Sequence, residues 1–417
     1  MTTDSHYDAV LADYQASRRL PTLVASVLDD GAVCWTGGAG AGADVAAQFR
    51  IGSVTKTMTA VLVLQAREEG LLGLDDPMAA YLPEAEHGEL TLRQLLSHTA
   101  GMHSEPAGPW WERSPGVDPA TLHARNAGTG VVFEPGSTYH YSNLGYALLG
   151  EVVARVRGAS WLEVLTARVL DPLGLTRTTY LPQEPFAHGL SVDHLRGTLR
   201  SEPHQDTGAM APAGQLWSTL ADLAAFARFL RDGHPQVLPV DTLREMQRPV
   251  LEEYGLGMFV HPWRGGTLVG HLGSMPGFQA VTSIDPDSGR GVVALTNGTT
   301  GFDGNELAER LLGEHTPEPA TPWTPTERVP GWAEPLLGSW HWGNSAFELR
   351  WNNDLLEFVD LARGRVGDRF TRVDGRIVGV SGYHHGETLH VHPTHLECAT
   401  FVYTRVPYDP AAPIPGE

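Results

Sequence analysis

Residues 49–66 run Phe49-Arg50-Ile51-Gly52-Ser53-Val54-Thr55-Lys56-Thr57-Met58-Thr59-Ala60 and on through Val61-Leu62-Val63-Leu64-Gln65-Ala66, and this stretch restricts the fold and the chemistry more than any other. It reads as a helix that stops at Glu69-Gly70, where a C-terminal glycine is expected. Its first turn carries Ser53 and, three residues on, Lys56, so the two side chains share one face. Lys56 is also the only lysine: of 29 lysines and arginines, 29 − 1 = 28 are arginine. Arginine stays protonated in proteins, whereas a buried lysine can shed its proton and act as a base. A chain that writes arginine everywhere else fits a site where arginine will not serve; the plainer alternative is an arginine-biased genome whose one lysine fell here.

The 417 residues suffice for two or three domains with a large core. A net charge of −20 argues against nucleic acid or an anionic membrane surface as partner. No apolar run approaches the ~20 residues of a membrane span, and the first residues, Met1-Thr2-Thr3-Asp4-Ser5-His6, lack a charged segment followed by an apolar one. Cys34 and Cys398 lie at opposite ends of the chain, which suits a reducing compartment better than a disulfide framework. The expected location is cytoplasmic.

A helix is expected over 6–18, then a hairpin of Pro21–Leu28 and Ala32–Trp35 turning at Asp29-Asp30-Gly31. Gly37 to Gly42 follows as a flexible glycine-alanine loop. From about 75 to 245 the pattern is helical with long polar loops, including helices over Thr91–His98, Gly145–Val156 and one capped near Ser218-Thr219. The loop from Met102 to Ser114, with Trp110 and Trp111, offers a substrate wall or simply covers the core. Strands are expected at Tyr254–Val260, Thr267–His271, Gly277–Ile284 and Gly291–Asn297, and a closing helix at Gly304–Leu312. Residues 315–330 form a proline-rich linker. Beyond it the period switches to two, in Ala346–Trp351, Leu355–Phe358, Arg376–Val380, Thr388–His392 and Ala399–Tyr403, which suggests a small β-barrel or sandwich.

A serine hydroxyl needs a base beside it to act as a nucleophile, and Lys56 can be that base if burial lowers its pKa. Such a site further requires a proton relay and donors for an oxyanion. Two stretches supply candidates. In Phe133-Glu134-Pro135-Gly136-Ser137-Thr138-Tyr139-His140-Tyr141-Ser142-Asn143-Leu144-Gly145-Tyr146, Tyr141 can exchange protons and Asn143 can hold a substrate amide; alternatively Tyr141 packs on the core and Asn143 caps a helix. In Gly270-His271-Leu272-Gly273-Ser274-Met275-Pro276-Gly277, a strand edge can bring backbone N–H groups to a carbonyl; alternatively His271 is structural.

Together Ser53-Val54-Thr55-Lys56, Tyr141-Ser142-Asn143 and His271-Leu272-Gly273 resemble the three motifs of the penicillin-recognising serine hydrolases, a group of class C β-lactamases, DD-peptidases, esterases and D-amino-acid amidases. Leu90–Gly101, Ser142–Gly150 and Asp171-Pro172-Leu173-Gly174-Leu175 resemble the family as well. The resemblance implies an α/β (α+β) class, β-lactamase/transpeptidase-like fold over residues 1–314, with an antiparallel sheet flanked by helices and a helical subdomain at about 75–245. It implies that residues 331–417 form an appended lipocalin-like barrel. It also implies roles: Ser53 the acylated nucleophile, Lys56 its base, Tyr141 the proton shuttle, Asn143 a substrate contact and His271 a pocket residue assisting the tyrosine. The backbone N–H groups of Ser53 and of Ser274, just after Gly273, would form the oxyanion hole. Where class C β-lactamases have Lys-Thr-Gly, this chain has His271-Leu272-Gly273; a mostly neutral histidine replaces a fixed positive charge that helps bind the β-lactam carboxylate. Weak or no β-lactamase activity is therefore expected. The absence of a Gly-x-Ser-x-Gly elbow removes the α/β-hydrolase reading.

The expected activity is a serine hydrolase acting through an acyl-enzyme on a small peptide, amide or ester, with no cofactor and an oligomeric state the sequence does not reveal. The alternatives are a penicillin-binding-protein-type cyclase that passes a nonribosomal peptidyl group to an amine, and a non-catalytic penicillin-binding sensor on the same scaffold. Near the C-terminus His384, His385, His390, His392 and His395 cluster with Cys398. In an alternating strand His390 and His392 share a face, but no tight ligand spacing recurs, and surface histidines without a metal are the default expectation.

Overall fold

The computed structural model describes residues 3–408 apart from 265 and 319. They group into two compact units, one of residues up to 191 together with 201–322, the other of 192–200 together with those from 323 on.

The first unit is built on a six-stranded sheet. Its strands are β1 (Thr22–Asp29), β2 (Ala32–Gly40), β3 (Phe259–Trp263), β4 (Gly266–Met275), β5 (Phe278–Ile284) and β6 (Gly291–Thr296), in the order β2-β1-β6-β5-β4-β3. Every pairing is antiparallel. β1 and β6 are interior strands and show near-continuous burial, because helices cover both faces. The alternation along β1 sends Leu23, Ala25 and Val27 into one core with α1 (Thr3–Arg18) and Val24 and Leu28 into the other. That second, larger core holds α2 (Val54–Glu68), whose residues from Val54 to Ala66 are all buried. A helix buried on every side belongs in the middle of a protein, and α2 lies there, with Thr55, Lys56, Thr57, Thr59 and Gln65 as its buried polar residues. α3 (Asn143–Arg157), the single-turn α4 (Ala211–Gly214), α5 (Leu220–Asp232) and α6 (Gly304–Leu311) complete the parts used below.

Two expectations need correction. Gly37 to Gly40 is no loop but the end of β2, where Gly37, Gly38 and Gly40 pair with Ala25, Val24 and Thr22; local composition gave way to a neighbouring strand that satisfies the backbone. Tyr254 to Gly257 precedes β3 rather than forming it, since the strand starts at Phe259.

The second unit is a closed eight-stranded antiparallel barrel: β7 (Gly338–Trp342), β8 (Ser345–Asn352), β9 (Leu355–Asp360), β10 (Arg365–Val373), β11 (Arg376–Ser381), β12 (Thr388–Val391), β13 (His395–Cys398) and β14 (Phe401–Thr404), with His341 of β7 pairing Thr404 of β14 to close it. Trp340, Leu349, Trp351, Leu356, Phe358, Phe370, Leu389, Leu396 and Tyr403 fill the interior. Closure removes the exposed edges of an open sheet. Among the described residues no helix is long and apolar enough to cross a membrane, and both cysteines are free.

Candidate active site

Ser53 stands at the N-terminal cap position of α2 yet makes no side-chain capping bond. Its hydroxyl is engaged elsewhere: Lys56 Nζ lies 2.8 Å from Ser53 Oγ. Two glycines bring the sheet against this turn. Gly52 adopts a φ of +50°, and a Cβ there would sit 2.6 Å from the Ser274 backbone N. A Cβ on Gly273 would sit 1.9 Å from the Ile51 carbonyl oxygen. Neither position admits a side chain, so the edge of β4 is pressed onto the residue before the serine, and the Ser274 backbone lies beside it.

Lys56 is fully buried and also donates to the Ala213 carbonyl of α4 at 2.6 Å. Burial brings its pKa down from 10.5 to about 7, against a smaller opposing pull from Glu105 and Glu112. Near neutral pH much of it is therefore uncharged, with a lone pair available to the serine proton. Tyr141 lies on the other side of the pair, its ring centroid 5.0 Å from Lys56 Nζ. Its phenol is pushed well above its usual range by burial, partly offset by a hydrogen bond with Ser53, so it keeps its proton and can relay one. His98 packs its ring 4.1 Å from that of Tyr141. Its Nδ1 accepts the Ser142 N–H at 3.0 Å, fixing the backbone that carries the tyrosine.

His271 is buried on β4. Its Nδ1 lies 2.5 Å from the Leu272 carbonyl oxygen and its Nε2 3.1 Å from the Tyr254 hydroxyl. A carbonyl only accepts, so Nδ1 carries the hydrogen and Nε2 takes the tyrosine proton. Burial, reinforced by Lys56, lowers the imidazole pKa to about 3; the ring is neutral. Its centroid is 6.2 Å from that of Tyr141.

Asn143 opens α3, and Ser142 rather than Asn143 caps that helix, its Oγ accepting the Gly145 N–H. The Asn143 amide donates to Glu105 Oε1 at 2.7 Å, while Trp111 Nε1 donates to Glu105 Oε2 at 2.6 Å. Glu105 is thus held with one donor on each oxygen. Glu112 accepts from Trp110 Nε1, and burial raises its pKa. A cleft of about 620 Å³ brings Ser53, Tyr141, Asn143, His271, Gly273 and Ser274 together with Glu105, Glu112, Phe259 and Asp303. Among the described residues its lining holds carboxylates but no lysine or arginine. The Met102–Ser114 loop does form one wall, with Trp110 exposed and Trp111 buried against it. The two carboxylates next to these tryptophans were the missed feature, although they stand in the same segment. Among the described residues, groups of side chains arranged to hold a metal lie only outside this cleft.

Residues 7–315 match the family model described as Beta-lactamase, and residues 329–405 match one described only as a domain of unknown function. The chain is 31% identical over 326 residues to penicillin-binding protein 4 of Amycolatopsis lactamdurans, covering 70% of this chain and 84% of that one. Among solved structures it resembles a D-stereospecific amidohydrolase from Streptomyces sp., at 28% identity and a TM-score of 0.63 over 75% of this chain and 99% of the other. The octameric penicillin-binding protein homologue of Pyrococcus abyssi shares the fold, with a TM-score of 0.67 and 22% identity over 95% of this chain and 98% of that one. With a serine, a buried lysine and a tyrosine meeting at the end of its buried helix, and a family match over most of its length, this chain belongs to the Beta-lactamase family.

Proposed function

We propose that the protein is a serine hydrolase that cleaves small amides or esters bearing a free amino group near the scissile carbonyl. The observation that carries the hydrolase reading is Ser53 Oγ within 2.8 Å of a lysine whose pKa burial holds at about 7. In this reading neutral Lys56 takes the Ser53 proton as Oγ attacks the carbonyl carbon. The oxyanion forms against the backbone N–H groups of Ser53 and Ser274. Tyr141 hands its proton to the departing amine or alkoxide and is reprotonated from Lys56, and water then releases the acyl group by the reverse relay.

Substrate class follows from charge. A neutral His271 offers no fixed cation to a substrate carboxylate, whereas Glu105 and Glu112 offer negative charge to an ammonium group. The likeness to a D-stereospecific amidohydrolase supports the D-enantiomer.

The test is intact-protein mass after exposure to a fluorophosphonate and, separately, to a penicillin, alongside hydrolysis of D- and L-aminoacyl amides with free or acetylated amines. The expected outcome is one fluorophosphonate adduct on wild type, absent from Ser53→Ala and Lys56→Arg, with turnover confined to substrates whose amine is free. Well-folded wild type that reacts with neither probe would overturn the acyl-enzyme and favour a binding protein. Product mass with an added amine acceptor separates hydrolysis from acyl transfer.

A further inference from the structure

The β12–β13 hairpin of the barrel carries four side chains able to bind a metal on one face. Its turn is closed by the His392 N–H donating to the His395 carbonyl at 3.0 Å, with Pro393-Thr394 between them. The ladder then pairs Val391 with Leu396, His390 with Glu397 and Leu389 with Cys398. Leu389, Leu396 and Cys398 are buried. Strand alternation therefore puts His390 and Glu397 on the outer face, and His392 and His395 on that same face at the turn.

The three residues nearest the turn are already gathered. The rings of His392 and His395 stack with centroids 4.3 Å apart and planes 15° from parallel. His392 Nε2 lies 3.4 Å from Glu397 Oε2, and one ligand atom from each of the three residues falls within 4.8 Å of the others. A separation of 3.4 Å is long for a direct hydrogen bond. It equals the ligand-to-ligand edge of a tetrahedron whose centre is about 2.1 Å from each nitrogen and oxygen, the zinc distance. Thr394 Oγ1, 3.2 Å from His395 Nδ1, occupies that ring nitrogen in the way outer-shell partners orient a ligating histidine.

We propose that His392, His395 and Glu397 bind a divalent transition metal, zinc by ligand type and spacing, with His390, the cross-strand neighbour of Glu397, as fourth ligand. The other gathered group, Glu84 with His123 and Glu151, is a different case: Arg155 already bridges Glu84 and Glu151, so a guanidinium stands where the cation would.

The test is calorimetric titration of the metal-free full-length protein with zinc chloride, and cobalt(II) absorption on the same sample. The expected result is one zinc per chain, with affinity falling roughly 10–100-fold or more in His392→Ala, His395→Ala and Glu397→Gln, and an intense visible cobalt band typical of tetrahedral ligation. A smaller loss in His390→Ala than in the other three is expected from its exposed position. Binding that is equal in wild type and all variants, or a cobalt spectrum no stronger than that of the hydrated ion, would overturn the site. The cobalt reading needs no variant, so a substitution that disturbs the barrel leaves the proposal open to refutation.

Discussion

Glu357 in the barrel and Lys56 in the first unit are both deeply buried charge-bearing side chains, and the two solve the problem in opposite ways. In the barrel Glu357, its side chain only 4% exposed, accepts from Arg350 Nε through one oxygen and from Arg369 Nε through the other, each at 3.0 Å. The charge is kept because it is paired on both sides. In the first unit Lys56 is just as buried, but its polar partners are a serine hydroxyl and a backbone carbonyl. No carboxylate reaches it, so the group gives up its proton instead. Pairing makes a buried ion inert, and withholding a partner makes it a base.

The sharpest way to break the comparison is to remove each ion. Lys56→Met should lower the acylation rate on the order of 10⁴-fold or more, read by fluorophosphonate labelling kinetics. In wild type the rate should fall tenfold per pH unit below about 7, where Lys56 regains its proton. Glu357→Ala should instead leave the serine chemistry alone and destabilise the barrel by about 3–5 kcal/mol, since two arginines lose their shared carboxylate; denaturant titration followed by tryptophan fluorescence reads it.

A smaller effect has the opposite sign. Lys56 titrates near 7 when folded and near 10.5 when unfolded. Its burial penalty is therefore complete below pH 7, shrinks as pH rises and is gone by about 10.5. Lys56→Met should thus be more stable than wild type, by roughly 1–3 kcal/mol at about pH 6 and by less at about pH 9, in the manner of a site that trades stability for activity. The smallest change sharpens the substrate side. Glu105→Gln keeps an acceptor for Asn143 or Trp111 but removes the charge, and should raise KM for amine-bearing substrates about 10-fold while leaving kcat nearly unchanged.

Much of the first unit was legible because its signals are local. The spacing of Ser53 and Lys56 fixes a shared helix face, and a hairpin turn at Asp30-Gly31 joins two runs of strand residues. Glu105 and Glu112 were not legible as site residues: they lie in a loop without periodicity, and what directs Glu105 is a pair of hydrogen bonds to Asn143 and Trp111, distant or unpatterned in sequence. Tyr254 reads as a strand residue, yet it lies before β3, where its hydroxyl meets His271 Nε2. In the barrel the alternation exposed five strands of eight. β10 escaped because its charged residues and the extra Gly367, where its pairing with β9 shifts between Phe358 and Val359, break the period of two.

The single lysine has a spectroscopic consequence. Feeding lysine labelled with ¹⁵N at Nζ places one signal in the spectrum of a 417-residue chain, and that signal is the group beside Ser53. Its chemical shift, followed through neutral pH with and without a bound inhibitor, would report the protonation of the proposed base directly, with no resonance assignment and no substitution to perturb the site.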